Sequence, residues 1–180
     1  MKINQLLAIC IVLVATSNSV LAETPKDPYK YFFQETWGDF VEETIRAKSE
    51  GKKAIMIFFE MDECPFCHYM KTNVLNQPSV QEFYRKNFLL FSVDIEGDVE
   101  MVNFKGQTVK QKDFAFKENR VRATPVIAFF DFDGKRIHRH TGKTSGVSEF
   151  MVMGEYVASG SYKTMRFSKY KKMLRKNKKN

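Results

Sequence analysis

The chain of 180 residues carries 29 Lys and Arg against 21 Asp and Glu, a formal net charge of +8, and 43% of it is hydrophobic. The excess charge sits at one end: residues 161–180 hold nine Lys or Arg and no acid, while residues 23–160 hold 19 basic and 21 acidic residues, a net of −2. A body with no basic excess offers nothing to track a phosphate backbone, so the net charge does not point to nucleic-acid binding.

Residues 1–22 begin with Lys2, continue through the apolar run LLAICIVLVA and the polar patch TSNS, and end in small residues at Val20 and Ala22. This is the pattern of a secretory signal peptide cleaved after Ala22, and the run is too short to span a bilayer comfortably. It predicts an exported, most simply periplasmic, protein. Cys10 leaves with the signal, so Cys64 and Cys67 are the two cysteines of the mature chain. The remaining chain is large enough for one domain with a full apolar core, read as an extension over 23–35, a domain over 36–160 and a basic tail over 161–180.

Within the domain, TWGDFVEETIRAKSEG predicts an amphipathic helix. Thr36 is its N-cap, Trp37, Phe40, Val41, Thr44 and Ile45 form its apolar stripe, and Gly51 is its stop. KAIMIFFE follows as a short strand buried on both faces. A helix from Cys64 to about Leu75 is interrupted at Pro78, and Ser79 with Glu82 reads as a capping box for a second short helix. LLFSVDI alternates Leu89, Phe91, Val93 and Ile95 on one face of a strand. Glu96 to Thr108 reads as loop, and VKQKDFAFKENRV as a helix. VIAFF, the Asp133-Gly134 turn and RIHRHT form a hairpin, and a helix over Ser148–Ser159 buries Phe150, Met153 and Val157. Parallel strands joined by helices and closed by an antiparallel hairpin make a mixed-sheet α/β domain. The tail reads as a solvated, fraying end, with weak contact to an anionic surface as the alternative.

The stretch ECPFCHYM carries the chemistry. Cys64-Pro65-Phe66-Cys67-His68 fits the haem-attachment pattern of c-type cytochromes, with both cysteines as thioether anchors and His68 as axial ligand, which would make an electron carrier. A motif placed at the end of a buried strand argues against that reading. A zinc site would need His138 and His140 brought from far along the chain to the two cysteines. Dithiol chemistry explains more. A cysteine at the start of a helix lies beside unpaired N–H groups and the positive end of the helix dipole, both of which favour thiolate. Cys67, one turn further, is shielded yet within reach as a resolving thiol, and Pro65 suits the first helical turn.

From Thr36 to Ser159 the chain resembles the thioredoxin fold, and the combination of leader, CPFC, Thr-Pro and final helix is similar to exported thioredoxin-related proteins, including the SoxW type. The second element of the resemblance is ATPVIAFFD, 59 residues after Cys64. It implies that Thr124-Pro125 is a cis bond beside the dithiol and that the Thr124 backbone pairs with an incoming substrate strand. The family's buried acid, six residues before the first cysteine, is replaced here by Phe58, and its tryptophan by Glu63 with Asp62 beside it. Glu60 faces the same side of the strand as Phe58 and could take over the base role through water, or be an ordinary solvated strand-end residue. The two acids beside Cys64 oppose thiolate formation, which His68, when protonated, partly offsets. The resemblance implies a thiol-disulfide oxidoreductase using Cys64 and Cys67, favoured in the reductase direction and needing no bound cofactor or metal. Its partners would be disulfide-bonded substrate proteins and a dithiol electron donor in the membrane or periplasm. A thioredoxin-fold module that binds peptides without redox turnover is the remaining alternative.

Overall fold

The computed structural model describes residues 24–177; the expected signal peptide lies outside these residues. In chain order the first half contains α1 (Pro28–Tyr31), α2 (Phe40–Ser49), β1 (Ala54–Glu60), α3 (Pro65–Met70), α4 (Pro78–Asn87) and β2 (Phe88–Asp94). The second half contains β3 (Glu100–Val102), β4 (Thr108–Lys110), α5 (Gln111–Asp113), β5 (Val126–Phe130), β6 (Arg136–Thr141), α6 (Val147–Ala158) and α7 (Phe167–Asn177). Two π-helical turns, Lys71–Leu75 and Phe114–Glu118, prolong α3 and α5.

The strand with the longest apolar run becomes the centre of the sheet. β1 has a partner on each edge, parallel β2 and antiparallel β5, and is buried at all seven positions because a core covers each face of the sheet, while β6 closes the order β2-β1-β5-β6. Strand alternation then sorts its side chains between two cores. Met56 and Phe58, with Leu90, Ile127 and Phe129, face α3, α4 and α6, where Tyr84 stacks on Phe150 at 4.2 Å between ring centroids. Ile57 and Phe59, with Leu89, Phe91, Val93 and Ala128, face α2 and the turn bearing Phe114.

Several local expectations are corrected. The α2 cap is Asp39, whose carboxylate accepts from the Val41 and Glu42 N–H groups, while Thr36 Oγ1 accepts from Gly38 N–H in the preceding turn. The buried face of α2 is Phe40, Glu43, Thr44 and Ala47; Trp37, 98% exposed, Val41 and Ile45 lie outside it. Gly51 does follow the helix, at φ 66°. Helix α4 starts two residues earlier than the capping box requires, with Pro78 in its first turn and Gln77 as N-cap, and Ser79 caps nothing. The polar segment read as loop contains the β3-β4 hairpin, tied to the Gly38 carbonyl by Val102 N–H. The helix read over 109–121 shrinks to α5 and its π turn, which bury Phe114 and Ala115.

Both ends of the described chain pack on the domain. Phe32 and Phe33 are buried in the α3/α4/α6 core. The tail, read as solvated, instead forms α7 against α6: Tyr170 is buried, the Tyr156 hydroxyl donates to the Met165 carbonyl, and Lys171 pairs with Glu149. Hydrogen bonds from Lys171 and from the Ser145 backbone hold the Glu149 carboxyl down at about 2.

His138 on β6 is enclosed by the rings of Phe129, Tyr156 and Phe167, and its Nε2 is buried without a partner. Burial, helped by the neighbouring His140, lowers its titration from 6.5 to about 4. A histidine held neutral in the fold but free to protonate when unfolded contributes stability above its unfolded value, and that contribution is lost as pH falls from 6.5 towards 4. The full contribution is about 3 kcal/mol at most, since each pH unit is worth about 1.4 kcal/mol. Urea unfolding at pH 7 and at pH 4.5 should therefore show a larger loss for the wild type than for His138→Phe; parallel losses would remove His138 from the acid response.

Candidate active site

The loop after β1 delivers Cys64 to the mouth of α3. Cys64 is extended at the N-cap, its Sγ accepts from Cys67 N–H at 3.0 Å, and Pro65 occupies the first turn. Capping by sulfur requires the extended backbone at Cys64 and the helical backbone that follows, and the sequence Cys-Pro supplies both. Cys64 and Cys67 are joined in a disulfide with their Cα atoms 5.2 Å apart. Cys67 is fully buried and Cys64 is 6% exposed, so solvent or a partner reaches the pair through Cys64. The two cysteines do not meet His138, which lies under α7; among the described residues no group of three or more His, Cys, Asp or Glu is placed to hold a metal.

Around this disulfide the sequence candidates are distributed unevenly. Phe66, 53% exposed, and His68, also exposed, project from α3, and His68 borders an open groove of about 390 Å³ shared with Asp27, Tyr29 and Lys71. Asp62 and Glu63 are exposed on the approach to Cys64. The Thr124-Pro125 bond is cis. Because Phe59 pairs with Val126, Pro125 falls one step on, across from Glu60 at the end of β1 from which the loop runs to Cys64. The Pro125 carbonyl accepts from Gly142 N–H at 2.8 Å, whereas the Thr124 backbone joins no loop or turn hydrogen bond among the described residues. A backbone segment left without such bonds is what an added strand requires.

Glu60 is not a solvated strand-end residue. It is 7% exposed, pairs with Lys71 Nζ at 2.7 Å, and accepts from the Tyr29 hydroxyl at 3.1 Å and from the Ser92 hydroxyl. Lys71 also donates to Tyr29 at 2.7 Å. Burial acts to lower the Lys71 ammonium, but its hydrogen bonds to Glu60 and Tyr29 outweigh it and hold it above its ordinary value. Burial also raises the Tyr29 phenol, against the pull of Lys71. Each polar atom of the cluster thus finds a partner, the condition under which a buried carboxylate is tolerated. Sequence reasoning found Glu60 but missed Tyr29, Lys71 and Ser92. Lys71 carried one usable signal: it lies on the same helical face as Cys67, four residues on.

The comparisons agree with this architecture. A curated relative, anterior gradient protein 3 of Mus musculus, is 21% identical over 128 residues, covering 67% of this chain and 78% of its own. A thioredoxin-fold protein from Helicobacter pylori superposes with a TM-score of 0.58 at 22% identity, over 69% of this chain and 81% of its own. A thioredoxin from Thermus thermophilus gives 0.53 at 21%, over 71% and 87%, and a DsbH oxidoreductase 0.54 at 19%, over 71% and 85%. These likenesses establish the fold, and the CxxC pair at a helix start is consistent with thiol-disulfide exchange. Residues 40–158, from α2 to the end of α6, match the thioredoxin-like domain family, and the chain belongs to it.

Proposed function

We propose that this protein is an exported thiol-disulfide oxidoreductase that reduces protein disulfides, and that it belongs with the exported, SoxW-type members of its family. The observation that carries the reading is the bonded Cys64–Cys67 pair at the mouth of α3, with only Cys64 reaching the surface, in the loop that follows β1, whose Phe59 pairs with Val126 next to the cis Thr124-Pro125 bond. Export rests on the leader pattern of residues 1–22.

In the reducing cycle the Cys64 thiolate attacks one sulfur of a substrate disulfide. That S–S bond breaks, and its other sulfur leaves as a thiolate that takes up a proton. Cys67, deprotonated in turn, attacks Cys64 Sγ, breaks the mixed disulfide and releases the second substrate sulfur as a thiol. Two electrons and two protons have passed to the substrate, and the Cys64–Cys67 disulfide remains. A second protein dithiol, by family likeness one in the membrane or periplasm, must reduce it for another turn. Cys64 is the nucleophile, Cys67 the resolving thiol, and Thr124 with Pro125 the seat of the substrate strand. Phe66 adds an apolar contact, while Pro65 and His68 shape the start of the helix. Glu60 is a buried member of an ion-pair cluster, and its part in proton transfer would run through water.

The exposed acids Asp62 and Glu63 support the reducing direction, because negative charge beside Cys64 disfavours the highly stabilised thiolate of a strong oxidant. Equilibration with defined dithiol buffers should give a reduction potential nearer the roughly −270 mV of thioredoxin than the roughly −120 mV of DsbA. A value at the oxidising end would reverse the direction, and failure to exchange with any dithiol would remove the enzyme reading altogether.

A further inference from the structure

The β6–α6 loop is built into the rim of the dithiol site. Gly142 N–H is bonded to the Pro125 carbonyl at 2.8 Å, and the buried Thr144 directs its N–H and hydroxyl at Met70 Sδ, at 3.4 and 3.5 Å. Lys143, between these two anchors, is thereby fixed at the border between Pro125 and α3. Its ammonium lies 4.2 Å from the Tyr69 ring centroid and 5.7 Å from that of Phe66, and it pairs with no described carboxylate. In the segment leading into Thr124, exposed Arg122 lies 5.4 Å over the ring of Phe116, itself 54% exposed, also without a carboxylate partner among the described residues. The loop bonded to Pro125 and the segment leading into Thr124 thus each carry an unpaired cation resting on an aromatic face. Exposed acids, Asp62 and Glu63, occur instead on the loop before Cys64.

A cation lying on a ring is held in place and shielded on one side, which leaves it short of a counter-charge and pre-oriented to accept one. The ring next to it offers apolar contact at the same spot. We propose, resting on the exchange reading above, that the preferred clients are protein disulfides whose reactive cysteine is flanked by an acidic residue. Lys143, assisted by Arg122, is the specificity-determining group that receives this carboxylate. Asp62 and Glu63, on the loop before Cys64, repel the same residue, so the rim selects the orientation of the client as well as its charge.

The test uses three peptide disulfides that differ only in the residues flanking the cystine, which are Glu, Ser or Lys. Turnover by the full-length wild-type protein and by Lys143→Gln and Lys143→Glu is expressed as the kcat/KM ratio of each charged peptide to the Ser peptide, so that each protein serves as its own reference. The wild type should favour the Glu over the Lys peptide by about tenfold at low salt, and the preference should shrink as salt is added. Lys143→Gln should flatten the ratio and Lys143→Glu should invert it. An active wild type with equal ratios, or with a preference for the Lys peptide, would overturn the proposal. So would a preference that survives in Lys143→Glu. If the wild type turned over none of the three peptides, the exchange reading would fail first, a result distinct from equal turnover.

Discussion

Replacing Cys64 by serine should abolish dithiol-driven reduction of a protein disulfide, a loss on the order of a thousandfold or more, because no other group can supply the attacking sulfur. Cys67 is fully buried, so it cannot take over as the entering nucleophile without opening the helix. A serine hydroxyl at position 64 stays protonated at neutral pH and forms no exchangeable bond with sulfur. The fold should tolerate the change. Cys64 is an N-cap whose side chain accepts from Cys67 N–H, and serine is among the best residues for that position. Circular dichroism should therefore show the fold intact while turnover of a fluorogenic protein disulfide falls to background. Retained turnover in Cys64→Ser would mean that the CPFC motif is not the reacting centre.

Lys71→Met should destabilise the fold strongly although the side chain lies outside the apolar core. It leaves the Glu60 carboxylate, 7% exposed, without its countercharge while the Tyr29 and Ser92 hydroxyls still donate to it. Removing one partner of a buried pair typically costs about 3–5 kcal/mol. With two donors remaining and Lys71 itself partly exposed, about 2–3 kcal/mol is expected, and urea denaturation of the single variants can measure it. The diagnostic arm is the double variant Glu60→Gln with Lys71→Met. It should recover much of the loss, because a neutral amide has no charge left to compensate. If both the single and the double variant lay within about 0.5 kcal/mol of wild type, the pair would be a surface-like interaction of no consequence to the fold.

How legible these features were depended on whether their cause was local. β1 was plain because AIMIFF is apolar without interruption. The closing hairpin was plain because Asp133-Gly134 meets the turn's own requirement, with Gly134 at φ 72°. The α2 face was not, since Trp37, Val41 and Ile45 recur at helical spacing as regularly as Phe40, Thr44 and Ala47. Periodicity gives the spacing of a stripe and leaves open which of two stripes meets the sheet. At Ser79 the capping-box pattern was genuine, but Pro78, pre-set in φ and lacking an N–H, took the first turn and moved the start forward.

The tail misled through its charge. Counting nine cations concealed Phe167, Tyr170 and Leu174, which at helical spacing provide an apolar face for α6. Within the site, Cys64, Cys67 and the Thr124-Pro125 pair carried motif signals. The surroundings of Glu60 did not, because Tyr29 and Ser92 lie 31 and 32 residues away along the chain and only the fold brings them together.

The central claim is that Cys64 passes disulfides to and from protein clients and that Cys67 resolves them. Its most direct measurement is covalent capture with Cys67→Ser in the native cell, followed by non-reducing electrophoresis and mass spectrometry of the adducts. The account predicts discrete adducts that are released by dithiothreitol, linked through Cys64 and absent from the Cys64→Ser/Cys67→Ser double variant. A Cys67→Ser protein that is folded and present at wild-type levels yet carries no Cys64-linked partner would contradict it.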